Sequence, residues 1–406
     1  MEVIEGKAFI NGKIRNANIG IEDGKIVAIK KVLYGKTRNY NGMLILPSAI
    51  DIHVHFRQPG YEYKEDFFTG SRAAVLAGVT CVADMPNNKP LIISDEAFKE
   101  KLRGIKGKAW VDYALYAGIS ENLVKDANLY KIYLSRDNEI FVDYERLPEI
   151  LKKIKEKNAL LAVHAEDKNC IRRQGKNLEE YEKNNPIECE MKAVKKIMEI
   201  NEEIGAMMHI CHVTSSSIAE ILLKNGISFG ITLHHILLSY KSKFKIEAMG
   251  KVNPPLRSEE ERKKLFTMVM KGKIPLLESD HAPHAIEEKK NFENAKPGMP
   301  GVDALFPVML YFVKSEKIRL KNLMKMVAEN PARVTRINKG SIAVGRDADF
   351  IIVDFNDVKK MKPLSKCGWS CYEGMNAIYP RYVWMRGNIV IDDYEIVGEP
   401  IGERVK

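Results

Sequence analysis

Nine histidines fall in five short stretches, two each in DIHVHFR, MHICHV, TLHHIL and SDHAPH and one in AVHAED. His53 and His55 stand two apart in an apolar run, so a β-strand there projects both imidazoles from one face. That spacing offers two nitrogens to one metal ion. His164, His212 and Asp280 each follow a short apolar segment elsewhere in the chain, as expected of a site assembled from the ends of several parallel strands. A lone buried histidine is commonly a hydrogen-bonded core residue. The whole set, with acidic neighbours and in this order, points instead to a metalloenzyme.

Such a site needs a scaffold that brings distant strand ends together. Apolar strand candidates at 78–83, 110–116, 130–134, 160–163, 207–211, 227–231 and 274–277 alternate with amphipathic helices. Repeated βα units predict a parallel sheet, and eight of them close into a barrel with its chemistry just beyond the strand ends. Ahead of them, short strands at 8–10, 19–21 and 25–29 are separated by turns at Asn11-Gly12 and Glu22-Asp23-Gly24. Segments 340–342, 348–354 and 382–391 repeat that texture at the other end. The expected fold is α/β: a TIM-like (β/α)8 barrel over 47–339, with a small β-sandwich domain built from both termini, 1–46 and 340–406.

A chain of 406 residues suits one large barrel with an appendage. The net charge of +10 does not indicate nucleic acid. The lysines alternate with glutamates at helical spacing, as in 149–157, and no basic run is interleaved with aromatics. The excess charge suits small anionic substrates. Glutamine occurs only at 58 and 174 while Lys, Glu and Ile are abundant, a composition that leans toward a thermophilic source. Six cysteines show no C-x-x-C spacing and read as reduced thiols; Cys367 and Cys371 lack the second pair a zinc knuckle needs. No signal peptide or membrane span is visible, so a cytoplasmic enzyme is expected. No G-x-S-x-G elbow occurs, which leaves no serine-hydrolase alternative.

Ten motifs carry a resemblance across nearly the whole chain. They are DIHVHFRQPG (51–60), MPNNKP (85–90), KIYLS (131–135), AVHAE (162–166), HICHV (209–213), KVNPPLR (251–257), SDHAPH (279–284), PGMPG (297–301), NPAR (330–333) and GRDADFIIVD (345–354). In these the chain resembles the amidohydrolase superfamily and, within it, the cyclic-amide hydrolases, the dihydroorotase branch most closely. The resemblance implies two Zn2+ ions per chain that activate one water against an amide carbonyl. By motif, His53, His55 and Asp280 would hold the buried ion, and His164 and His212 the more exposed one. The bridge would be Lys131 carbamylated to N6-carboxylysine. One branch of the family instead uses an aspartate a few residues on, which makes Asp137 in Ser135-Arg136-Asp137-Asn138 the rival bridge.

The same resemblance gives Asp280 the role of proton carrier. Arg57, Asn87 and His284 would grip a substrate carboxylate. Asn253 and the backbone around Pro297 and Gly298 would bind the ring amide. The family often carries a glutamate shortly before its paired histidines and a proline directly before them; here Gly230 and Leu233 stand in those places, so His234 and His235 are read as structural. Gly301-Val302-Asp303 is a smaller departure. The implied reaction is the reversible interconversion of N-carbamoyl-L-aspartate and L-dihydroorotate plus water, in pyrimidine synthesis. Dihydropyrimidinase, hydantoinase and allantoinase are the alternatives, and their substrates lack a ring carboxylate. Members that have lost their metals and serve as regulatory partners form a different class, against which the five retained ligands argue. Association with aspartate carbamoyltransferase is a further expectation; neither nucleic acid nor membrane is.

Overall fold

The computed structural model describes residues 1–405. Strands β1 (Glu2–Ile10), β2 (Lys13–Glu22), β3 (Lys25–Lys30) and β4 (Lys36–Pro47) come first. Then follow β5 (Ala49–Val54), β6 (Val79–Asp84), β7 (Asp112–Gly118), β8 (Leu129–Tyr133), β9 (Leu160–His164), β10 (Met208–Ile210), β11 (Ser228–Thr232) and β12 (Leu276–Glu278). These eight form one sheet in sequential order, every pairing parallel. A bridge between Val54 and His281, with the His55 amide on the His281 carbonyl at 2.7 Å, draws the two edges together. All of β5, β6 and β9 is buried, because helices cover the outside and side chains fill the inside.

The chain then returns to its beginning. Strand β13 (Phe350–Val353) lies antiparallel to β4, and a two-stranded ribbon follows, β14 (Lys359–Lys360) with β15 (Asn376–Ala377). Strands β16 (Tyr382–Met385), β17 (Asn388–Asp392) and β18 (Glu395–Ile396) complete a second eight-stranded sheet, ordered β18-β17-β16-β13-β4-β1-β2-β3. The sheet folds over a core of its own that includes Ile4, Ile19, Ile45, Phe350 and Trp384. Backbone bonds from Ile26 to Gly345 and Arg346 tie the β3 edge to the segment entering β13, giving a β-sandwich. The buried Lys339 ammonium joins sandwich to barrel, 2.5 Å from Asp349 and 2.7 Å from Asp112 at the start of β7. Asp347 lies 3.2 Å from the same ammonium, so its charge is compensated from three sides.

Three expectations need correction. Residues 340–342 form no strand, because Gly340 turns in a left-handed conformation with its α-carbon against the Ala328 carbonyl, where any side chain would collide. The segment 382–391 is two strands, broken by left-handed Arg386 and Gly387. Not all the cysteines are free: Cys170 and Cys189 form a disulfide. The loop after β9 folds onto the first turn of the helix Ile187–Glu202, where the Asp167 amide donates to the Cys189 carbonyl at 3.0 Å. That contact is tertiary, so cysteine spacing could not show it.

Candidate metal centre

His53 lies inside β5 and His55 just past its end, one strand period apart. Their Nε2 atoms converge on Oδ1 of Asp280, at 3.2 and 3.3 Å. His164 closes β9 and His212 follows β10 by two residues; Nδ1 of the first is 2.9 Å from Nε2 of the second. The rings of His53 and His212 are 5.4 Å apart, so the two clusters adjoin. Beneath them Lys131, within β8 and fully buried, points its amine at Sγ of Cys211, 3.0 Å away. Arg57, His212 and Asp280 all have left-handed backbone, with φ of 63°, 39° and 45°. Such conformations are costly for non-glycine residues and concentrate where side chains must be aimed.

Burial pushes His55 down to about 3 and lowers His164 and His212 as well, so these imidazoles keep free lone pairs at neutral pH. His53 is the exception: burial opposes its charge, but the Asp280 carboxylate lifts it to about 10. Asp280 is buried too, yet His53 and His55 hold it well below the usual carboxylate range. Nδ1 of His55 and of His212 have no hydrogen-bond partner, and two ring nitrogens face each other across 2.9 Å. Converging nitrogens, an anionic oxygen and few protons to share are what a divalent cation requires, and the donor set fits one.

Carboxylates behind the histidines went unremarked in the sequence. Glu278, fully buried on β12, lies 3.3 Å from Nδ1 of His53, 3.3 Å from Nε2 of His209, and accepts from the His212 amide. Glu166 sits 2.7 Å from Nε2 of His164 and is clamped by Arg173. Each lies two residues from a proposed ligand, and that spacing was the available signal. Such partners fix the tautomer and orientation of metal-binding imidazoles. Tyr133 stacks on His164 at 4.7 Å and donates to Asn87 Oδ1 at 3.3 Å. Asp137, the rival bridge, is held by Arg173 Nε at 2.7 Å.

A cavity of about 170 Å³ opens above the ligands, and Arg57, Asn87, Asn253, Pro297 and Gly298 line it. Arg57 donates through Nε to the Pro283 carbonyl at 3.1 Å, and its Nη2 is 3.2 Å from Nε2 of His284. Asn253 accepts from the Tyr181 hydroxyl at 2.7 Å. A Cβ at Gly298 would lie 2.6 Å from the Ala282 carbonyl oxygen, so only glycine fits there. His234 and His235 do not line the cavity. His235 is held between Thr232 and the Pro254 carbonyl, while His234 has no partner among the described residues.

The family model described as Amidohydrolase family matches residues 44–390. The chain belongs to the amidohydrolase family. As an amidohydrolase it is similar to the dihydroorotase of Thermoplasma volcanium, with 38% identity over 98% of this chain and 96% of that one. It is likewise similar to the dihydroorotase of Pyrococcus abyssi, with 34% identity over 99% of this chain and 98% of that one. Among solved structures, the L-hydantoinase (dihydropyrimidinase) from Arthrobacter aurescens matches with a TM-score of 0.93 and 25% identity, covering 99% of both chains. The family and the cluster of His53, His55 and Asp280 support a metal cofactor, and the chemistry is hydrolysis of a cyclic amide. No helix among the described residues is long and apolar enough to cross a membrane.

Proposed function

We propose that this amidohydrolase interconverts N-carbamoyl-L-aspartate and L-dihydroorotate. The observation that carries the reading is Arg57: its half-buried guanidinium faces the cavity beside the histidine cluster and makes no ion pair with any carboxylate among the described residues. A planar fork in a confined site is suited to a bidentate carboxylate, and Asn87 and His284 stand beside it. Dihydrouracil, hydantoin and allantoin carry no ring carboxylate to answer that charge.

His53, His55 and Asp280 would hold one Zn2+ and His164 and His212 the other. The pair supplies a water activated at neutral pH and a polarised carbonyl. Carbamylated Lys131 would be the preferred bridge, because it is fully buried and its charge acts on His53, His164 and His212, whereas Asp137 is held by Arg173. In the hydrolytic direction water adds to the ring amide carbon, and Asp280 takes its proton. As the C–N bond breaks, Asp280 returns that proton to the departing nitrogen; the synthetic direction reverses both transfers. Asn253 and the backbone at Pro297 and Gly298 would align the ring. The reading places the enzyme in the cytoplasm, with sandwich portions 1–46 and 340–406 around a barrel of 47–339. It also keeps aspartate carbamoyltransferase as a candidate partner, tested by co-elution of the two proteins.

Turnover of both compounds by metal-quantified protein tests the function, with Arg57→Ala beside wild type. Activity with about two zincs per chain, abolished by the substitution without metal loss, is the expected result. Bound metal with turnover only of uncharged cyclic amides would move the assignment to the hydantoinase side.

A further inference from the structure

A cavity larger than the one above the histidines lies elsewhere in the molecule. A cleft of about 650 Å³ lies between the sandwich and the segment 321–346, within the size range of small-molecule sites. Its walls are tied to the entrances of the barrel strands: Asn330 Nδ2 donates to the Pro275 carbonyl just before β12, and Arg336 binds Asn158 just before β9. The cleft therefore sits at the pole opposite the metal centre.

Five cations line it, Lys321, Lys325, Arg333, Arg336 and Arg346, against the single carboxylate of Glu329. None of the five makes an ion pair with any described residue. Lys339 also reaches the cleft, but three aspartates neutralise it. The three guanidiniums are oriented by neutral amide groups instead. Arg333 donates to Asn330 Oδ1 at 2.9 Å, Arg336 to the Asn158 carbonyl and Oδ1 at 3.1 and 2.9 Å, and Arg346 to Asn338 Oδ1 at 3.1 Å. Each fork is thereby held in place with full charge and spare donors. Lys325 and Glu329 begin and end a π-helical turn, a widened turn found often at functional sites. The NPAR motif supplies Asn330 and Arg333, and the metal chemistry leaves that motif without a role.

We propose that this cleft binds a small molecule bearing a polyphosphate group. Five like charges lining one cleft with a single carboxylate repel one another, and a compact ligand with several negative oxygens relieves that repulsion while accepting bidentate bonds from the guanidiniums. A concave wall closed on two sides by sandwich and helix favours a small ligand over an extended acidic polymer.

The test is calorimetric titration of the metal-loaded full chain with inorganic tripolyphosphate and, separately, ATP, at fixed ionic strength. Wild type is compared with Lys325→Glu/Arg333→Glu and with Lys321→Glu/Arg346→Glu. Lys321, Lys325 and Arg333 are exposed and Arg346 is half-buried, so the first pair should melt close to wild type and the second is read beside its own melting curve. One saturating site per chain is expected, persisting in Arg57→Ala and weakened about tenfold or more by each cleft pair. Equal affinity for the two probes means that the phosphate chain alone is read; tighter ATP binding means that the nucleoside also contributes. Absence of saturable binding, or cleft variants that bind as tightly as wild type, would overturn the proposal.

Discussion

A Cβ atom at Gly230 would lie 2.5 Å from Cδ of Glu278. The carboxylate of one barrel strand thus fills the space that a side chain on its neighbour would need, and from there it reaches histidines delivered by β5 and β10. Glu278→Ala should weaken metal retention about 10- to 100-fold, measured by competition with a chelating dye. Placing the carboxylate on the other strand, in Glu278→Ala/Gly230→Glu, should recover part of the affinity. A double variant no better than Glu278→Ala would show that the charge must come from β12.

Nδ1 of His164 and Nε2 of His212 lie 2.9 Å apart, close enough for one neutral ring to donate to the other. In the proposed two-metal site, His164→Ala should lower bound zinc from about two per chain toward one and reduce kcat by about 10³ or more. Unchanged zinc content in the purified variant would remove His164 from the ligand set.

Lys131 and Asp137 make opposite predictions as bridge. Lys131→Ala should lose both metal and activity, and the intact wild-type mass under non-denaturing conditions should exceed the sequence mass by one CO2 in addition to the bound metal. Asp137→Ala should keep its metal, because that carboxylate is engaged by Arg173. The reverse pattern would transfer the bridge to Asp137.

Lys289 is buried and donates to the carbonyls of Lys251 and Lys296 with no carboxylate paired to it among the described residues, and burial pulls its ammonium down to about 7. Its folded pKa is therefore below the unfolded value of about 10.4, so the unfolded chain binds more protons between those limits. Stability should rise with pH across that window, by up to about 1.4 kcal/mol per unit, and the gain should be complete above it. Urea melts from pH 7 to 10 should show the slope in wild type and a flatter line in Lys289→Met. Parallel lines would mean that Lys289 stays charged when folded.

The parallel barrel was legible because its strands are near-continuous apolar runs at βα spacing, and β6, β8 and β9 fall within two residues of the expected segments. His53 and His55 were legible from strand period alone. What escaped depends on contacts between strands distant in sequence. Glu278 meets His53 across the closure of the barrel, and Glu166 meets Arg173 through a loop that turns back on itself. The disulfide joins a loop to a helix 19 residues on, and the cations of the basic cleft, though all within 321–346, read individually as surface lysines and arginines.

The pairing of β4 with β13 sets an order in time. Ile45 bonds within the same sheet to β1, made moments earlier, and to Ile352, made only after the whole barrel has been synthesised. Until then the nascent chain carries β4 as an open edge, able to pair with any strand it meets. Completion of the sandwich is therefore a late event in biosynthesis, and a message truncated anywhere in the barrel yields a product in which β1 to β4 pair with one another but the outer edge of β4 stays open.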